Sequence, residues 1–196
     1  MTSRRAKALG RRRRVACGNA PRVAGAIAAL FSFAAADVVS AERQPTRESG
    51  IGVWYAQGAP ETSQLWRPGD PGERLFLRGR VLDVRGEPVA GALVELWHAN
   101  ANGIVHSDRY RAALRTRADG QFEVSTVLPG YIWGPRHIHI VVTDSGHPQL
   151  FTRVFFMRDP ELAVTGDPEL AIVLEDGRRG DEPVLLGTIE LVLQAP

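Results

Sequence analysis

The 196-residue chain carries 24 lysines and arginines against 22 aspartates and glutamates, with one cysteine, Cys17. This length accommodates one domain with a substantial core, and a single cysteine excludes an internal disulfide. Eight basic residues and one acid lie in residues 1–41, which leaves 16 basic and 21 acidic residues in 42–196. The acidic remainder gives no indication of a nucleic-acid partner.

Residues 1–41 have the three parts of an export signal. A basic stretch precedes an apolar run at 23–36, which is too short to span a bilayer, and the small residues at 39–41 follow. We expect an exported protein, periplasmic or secreted, with no membrane segment in its mature form. The paired arginines permit a twin-arginine signal as well as the general secretory route. A disordered basic arm is the alternative.

The mature chain divides into an arm and a β-rich domain. Residues 42–74 are rich in Gly, Pro, Arg and Glu with scattered aromatics, which predicts an extended N-terminal arm lying on a core. From residue 75 to 196 the pattern becomes that of short strands separated by turns.

Strands follow one another along this domain. Alternation at 75–83 predicts a first strand, and 92–99 predicts a second. Residues 114–127 predict a hairpin around Ala118–Gly120, where the Asp-Gly pair favours a tight turn. Four further strands are expected, at 137–144, 150–157, 169–174 and 185–193. No long amphipathic stretch is present, so we predict an all-β fold, an antiparallel β-sandwich of about seven or more strands.

Two histidines begin one of the predicted strands. Because residues two apart in a strand point to the same face, His137 and His139 project side by side, and Ile138 turns into the core. Paired imidazoles suit a transition metal, although either histidine could instead be a packed or surface residue. Tyr131 precedes them on a Gly-Pro segment. Its phenolate would favour a ferric ion over zinc or copper, although alone it would be a packed loop aromatic.

These residues belong to longer stretches that resemble the intradiol ring-cleavage dioxygenases, the group containing protocatechuate 3,4-dioxygenase and catechol 1,2-dioxygenase. The Tyr-x5-His-x-His spacing is the most specific part of the resemblance, which runs from about Gly52 to Leu193. The stretches are GVWYAQGAPETSQL (52–65), LRGRVLDVRGEPVAGALVELWHANANG (77–103), LRTRADGQFEVSTVLPGYIWGPRHIH (114–139) and LFTRVFFMRDPE (150–161).

The resemblance implies a non-haem Fe(III) ion held by two tyrosinates and two histidines. Tyr131, His137 and His139 match three of these four ligands. A small aromatic diol would bind the ion through both oxygens and react with O2. Its ring would open between the hydroxyls to a cis,cis-muconate-type diacid. Trp133 and Tyr55 match aromatics at the substrate pocket, with simple packing as the alternative for each.

Two positions depart from the family pattern. Val105 occupies the place of the second tyrosine ligand, and valine cannot bind iron; His106, Tyr110 or water are the candidate replacements. Gly134 stands where members have an arginine that stabilises negative charge on the activated ring. Arg136 and Arg153 are candidates to supply that charge, and solvated surface arginines are the alternative.

Three functions therefore remain open. The first is an intradiol dioxygenase, and the second is a non-catalytic metal- or ligand-binding relative that kept the sandwich. The third is a transthyretin-like β-sandwich module, because residues 79–96 also resemble such modules. The sequence does not select a particular catechol, and the strand edges and the arm are compatible with a homo-oligomer.

Overall fold

A computed structural model of the chain describes residues 42–52, 54–106 and 108–196; the expected export signal lies outside them. These described residues form nine strands and one short helix. Their bounds are β1 Arg74–Asp83, β2 Leu93–Trp97, β3 Arg111–Arg115, β4 Gln121–Val127, β5 His137–Asp144, β6 His147–Phe156, α1 Leu162–Thr165, β7 Ala171–Ile172, β8 Leu174–Arg179 and β9 Glu182–Leu193. A 3₁₀ turn at Pro168–Leu170 precedes β7.

The strands form two sheets, so the prediction of an all-β sandwich is confirmed. The four-stranded sheet has the order β4-β1-β9-β8, and the five-stranded sheet has the order β3-β2-β5-β6-β7. Most neighbours are antiparallel, but β1 pairs with β9, and β6 with β7, in parallel. Both sheets are therefore mixed. Strands β1 and β9 are far apart in the chain, so no tight turn constrains their direction.

The predicted hairpin at 114–127 is wrong in its pairing. Its turn forms, with the Gly120 N–H donating to the Arg117 carbonyl at 2.9 Å and a φ of +75° at Gly120. However, β3 pairs with β2 in one sheet and β4 pairs with β1 in the other. The turn thus carries the chain across the sandwich. Both strands carry apolar residues, and this crossing buries Ala112 and Phe122 in the common core.

Alternation along β5 gives the strand two chemically different faces. Ile138, Ile140 and Val142 are fully buried in the main core between the sheets. Fully burying such side chains stabilises the fold by about 1.5–3 kcal/mol each. His137 and His139 have the opposite parity and lie on the outer face of the five-stranded sheet. The core side chains thus fix which face the histidines occupy.

The arm covers that outer face. Its Ser49 N–H donates to the Phe151 carbonyl at 3.0 Å, and the Ala113 N–H donates to the Pro60 carbonyl at 2.9 Å. These bonds join the arm to β6 and β3, so the arm passes over the strands between them. In the part of the chain that the structure describes, no helix is both long and apolar enough to cross a membrane.

Candidate metal centre

Strand register brings three polar or aromatic side chains together beneath the arm. His139 pairs with Trp97 of β2 on one side and with Arg153 of β6 on the other. All three have the parity of the outer face. The Trp97 indole lies parallel to the His139 ring, with centroids 4.7 Å apart and 4° between planes. The stack fixes the plane of the imidazole.

The two histidines meet through their Nε2 atoms, which are 3.1 Å apart. His137 Nδ1 lies 2.7 Å from the Pro135 carbonyl oxygen, which can only accept, so Nδ1 carries the proton and Nε2 of His137 carries a lone pair. His139 Nδ1 is buried and has no hydrogen-bond partner among the described residues. If His139 also carries its proton on Nδ1, its Nε2 has a lone pair as well. The two Nε2 lone pairs then face the space between the two rings.

Burial keeps both imidazoles neutral, which is the form that binds metals. Desolvation lowers the pKa of His137, and the positive charge of Arg153 lowers it further. Desolvation also lowers the pKa of His139 to about 3, helped by His137 and Arg153. Neither ring carries a proton on both nitrogens at neutral pH. Two neutral nitrogen donors that meet at 3.1 Å fit a shared cation.

Both predicted arginines have unpaired buried atoms beside the pair. The Nε atoms of Arg153 and Arg136 are buried without a partner in the described ranges. Arg153 is close enough to lower the pKa of both histidines. The Arg136 guanidinium instead lies over the Tyr131 ring, with Cζ 4.6 Å from its centroid. Arg153 is therefore the arginine that acts electrostatically on the histidine pair.

Among the described residues, no hydrogen bond or ring contact joins the Tyr131 phenol to the histidines. Its side chain is 43% exposed, and the guanidinium of Arg136 lies over its ring. Nor does any group of three His, Cys, Asp or Glu side chains converge within residues 42–52, 54–106 and 108–196. The imidazoles thus fit two positions of a metal site, and Tyr131 stays the predicted third ligand.

The loop around Val105 separates the two candidate replacements for the missing tyrosine. Tyr110 is 3% exposed, packs against the His98 ring and hydrogen-bonds Asp70 through its hydroxyl. It is a core residue. His106 instead lines a surface cavity together with Val105, and its Nε2 lies 3.2 Å from the Asn100 side-chain amide. Of the two, His106 is the one placed at a ligand-accessible surface.

That cavity has a volume of about 390 Å³, within the range of small-molecule sites. Its remaining lining residues are Trp54, Tyr55, Ala56, Trp97, His98 and Arg111. Trp97 is shared between the cavity wall and the stack on His139. The cavity and the histidine pair are therefore adjacent through a single indole ring.

Comparisons with known proteins find similar sequences and similar folds. A family model described as Dioxygenase matches residues 51–132, a range that ends before the two histidines. Over 136 residues the chain is 38% identical to the protocatechuate 3,4-dioxygenase beta chain of Burkholderia cepacia. Over 140 residues it is 34% identical to catechol 1,2-dioxygenase 2 of Acinetobacter lwoffii. By sequence, this chain is similar to intradiol ring-cleavage dioxygenases.

The extent of the match differs between relatives and solved structures. The alignments cover 56% and 57% of this chain, and 58% and 51% of those two relatives, so the chain spans about half their length. A solved dioxygenase domain from a dioxygenase carbohydrate-binding protein fusion of Streptomyces sp. SirexAA-E aligns over its whole length and 78% of this chain. Its TM-score is 0.70 at 28% identity. 3-Chlorocatechol 1,2-dioxygenase from Rhodococcus opacus 1CP shares the fold, with a TM-score of 0.70, 23% identity and coverage of 79% and 74%.

The two predicted pocket aromatics lie at different depths. The Tyr55 hydroxyl donates to the buried Glu95 carboxylate at 3.1 Å, and its ring lies 5.2 Å from Trp97. Trp133 is 84% exposed and stacks on Trp54 with 5.0 Å between centroids. Tyr55 and Trp54 are part of the cavity wall, whereas Trp133 stands at the surface.

Sequence reasoning missed three residues of this site: Trp54, Trp97 and Gly52, an arm glycine next to the His139 ring. Trp97 could have been found, because alternation in β2 gives it the same parity as Glu95, opposite to the core residues Val94 and Leu96. Trp54 and Gly52 lie in the arm, where no periodicity indicates what a side chain or backbone will touch.

Proposed function

We propose that the chain is an exported, non-haem Fe(III)-dependent intradiol dioxygenase that cleaves a catechol-type aromatic between its hydroxyls with O2. The observation that carries the proposal is the pair of neutral histidines whose Nε2 atoms meet at 3.1 Å beneath the arm. A surface histidine pair would be hydrated and would titrate near its ordinary pKa. Here desolvation lowers both pKa values.

Three side chains would hold the ferric ion in this proposal: His137, His139 and Tyr131. The histidines supply neutral nitrogens, and the tyrosine supplies the anionic oxygen that favours a trivalent ion. When bound, the ion would act as a Lewis acid and template that activates the diol for reaction with O2. His137 is held in the correct tautomer by the Pro135 carbonyl, an outer-shell bond of the kind that orients metal-bound histidines.

The cavity supplies the binding surface for the aromatic ring. The walls are formed largely by Trp54, Tyr55, Trp97 and Val105, whose rings and methyl groups suit a flat apolar substrate. Val105 stands where the family pattern has a bulkier, metal-binding tyrosine. This wall therefore has space that the tyrosine side chain would otherwise fill. The covering arm limits water at His139, which is 5% exposed.

In the proposal, two further side chains stabilise negative charge and accept a proton. Arg153, opposite His139 in the sheet, stabilises the negative charge of the ionised diol. His106 stands beside Val105 in the cavity wall and takes the role of base that the missing tyrosine would have had. The Asn100 side-chain amide lies 3.2 Å from His106 Nε2 and orients the ring.

Iron analysis and oxygen uptake test the proposal together. The protein, purified aerobically and reconstituted with ferrous iron in air, should retain one iron per chain. It should consume oxygen with at least one of catechol, protocatechuate and hydroxyquinol. Absorbance of a muconate-type product would identify cleavage between the hydroxyls.

A non-catalytic metal-binding relative is the second candidate, favoured by one observation. The phenol of Tyr131 is partly exposed beneath Arg136 rather than against the histidines. Iron that binds stoichiometrically without oxygen uptake on any of the three diols would select this candidate. A protein that binds neither iron nor any other transition metal would leave only the transthyretin-like module.

A further inference from the structure

One glycine of the arm lies directly against a candidate metal ligand. Gly52 has a φ of +73°, and a Cβ atom built on it would lie 2.8 Å from His139 Nδ1 and still closer to Cε1. The same Cβ would be 3.4 Å from Nη2 of Arg153. Any other residue would thus meet both a disfavoured backbone conformation and an occupied space.

The His139 ring is held from three directions. The Trp97 stack fixes its plane, and His137 faces its Nε2 atom. The Gly52 backbone lies along the edge formed by Cε1 and Nδ1, so it limits movement of the ring within that plane. We propose that Gly52 is a positioning residue that presses His139 towards His137 and so sets the separation of the two Nε2 atoms. Its role towards iron rests on the function proposed above.

The arm is tied down on both sides of Gly52, so it cannot simply lift away from a larger residue. On one side the Thr152 hydroxyl donates to the Arg47 carbonyl at 2.9 Å, near the bond from the Ser49 N–H to β6. On the other side the Tyr55 hydroxyl bonds Glu95 at 3.1 Å. A methyl group at position 52 is therefore expected to displace the imidazole as well as the arm.

Gly50 provides a matched control. It has the same φ of +73°, but a Cβ built there meets nothing within 4 Å. Gly50→Ala and Gly52→Ala therefore impose the same type of backbone strain, and only Gly52→Ala adds a collision with His139. We expect Gly52→Ala to weaken iron binding about 10-fold to 100-fold, as loss of outer-shell support does in other metal sites, and to shift the visible spectrum of the ferric protein. Gly50→Ala should leave both unchanged.

A thermal unfolding cycle on the metal-free protein tests the contact without iron. Gly52→Ala should lower the melting temperature more than Gly50→Ala does. When His139→Ala is present in the background, the collision is removed and the decrease caused by Gly52→Ala should shrink to that caused by Gly50→Ala. This comparison still decides the question if Gly52→Ala folds too poorly to hold iron.

The outcomes separate this inference from the proposed function. Equal effects of the two glycine variants on iron affinity, spectrum and melting temperature would overturn the positioning role. A wild-type protein that binds no transition metal would end the proposed function. The metal-free cycle would then still establish or refute the contact between Gly52 and His139.

Discussion

The outer faces of the two sheets differ in whether their polar side chains are paired. On the four-stranded sheet, charges lie in pairs: Arg78 with Glu123 at 2.8 Å at the surface, and the partly buried Arg74 with Glu182 at 2.7 Å. On the five-stranded sheet the arm buries polar atoms and leaves some without partners, including His139 Nδ1 and Arg153 Nε.

This difference indicates which face carries the proposed site. A buried polar atom without a hydrogen bond costs free energy, so a native fold keeps few of them. In the described residues there are four such side-chain atoms, and three belong to the predicted site residues His139, Arg153 and Arg136; His139 and Arg153 pair in the sheet. The fourth is on Ser49 of the covering arm. Paired surface charges, by contrast, contribute solubility and little else.

The largest expected effect comes from removing either imidazole of the pair. His139→Ala or His137→Ala should reduce iron content to background, because the remaining ring alone cannot hold the ion at a specific site. His147→Ala is the matched control, since that imidazole pairs with Asp144 at 2.8 Å at the far end of the β5–β6 hairpin. Wild-type iron content in His139→Ala would show that the pair is not a metal centre.

Replacing the predicted anionic ligand should have the next largest effect. Tyr131→Phe keeps the ring beneath Arg136 but removes the phenolate, so iron affinity should fall at least about 10-fold and visible charge-transfer absorption should disappear. Tyr55→Phe is the control, because its hydroxyl bonds Glu95. Titration with iron, followed by visible absorption, measures both. If Tyr131→Phe keeps the full colour, another residue supplies the anionic ligand.

Acidification should also destabilise the folded protein, and we expect the buried histidines to cause this effect. Burial lowers the pKa of His98 from 6.5 to about 4, and that of His139 to about 3. Below pH 6.5 the unfolded chain binds protons that the folded chain excludes. The metal-free protein should therefore lose stability as the pH falls from 6.5 to 5, by up to about 1.4 kcal/mol per pH unit for each such histidine.

Urea unfolding at pH 7, 6 and 5 measures this dependence. Asp70, Asp83 and Asp144 contribute little in that window, because their pKa values are lowered from 3.8 by folding and these three groups are ionised in both states. An unfolding free energy that does not change between pH 7 and 5 would mean that the histidines are accessible to protons in the folded state.

Removing the exposed tryptophan should have a smaller effect, confined to substrate binding. Trp133→Ala removes the stack on Trp54 beside the cavity and should raise KM about twofold to tenfold, with kcat retained. Trp133→Phe should preserve most of the affinity because it keeps an aromatic face. Steady-state oxygen uptake separates the two constants. A KM equal to that of the wild type would assign the pair to packing rather than to substrate.

Local sequence patterns predicted much of the fold but not how distant segments pair. The alternation of β1 and the histidine spacing of β5 were sufficient to place those strands and their faces. The stretch 114–127 has the same local signals as a hairpin, and its turn does form. Its two strands nevertheless enter different sheets, because pairing depends on the whole core rather than on the turn.

The site shows a similar division. Parity within β5 correctly indicated that His137 and His139 share a face, because that property depends on backbone geometry alone. The position of the Tyr131 phenol depends on a loop conformation and on competition from Arg136, which spacing does not encode. Gly52 acts through the absence of a side chain, at a distance of 87 positions from its partner. No local pattern could indicate that contact.

The smallest effect is expected on the other sheet. Arg78→Ala breaks the ion pair with Glu123, whose side chains are 56% and 34% exposed, so stability should change by about 0.5 kcal/mol or less. The comparison variant, Arg153→Ala, removes an arginine side chain from the buried face beside the histidines. It should lower oxygen uptake markedly, because no other arginine pairs with His139 in the sheet. Comparable losses of activity in the two variants would show that general surface charge, rather than the buried face, governs the reaction.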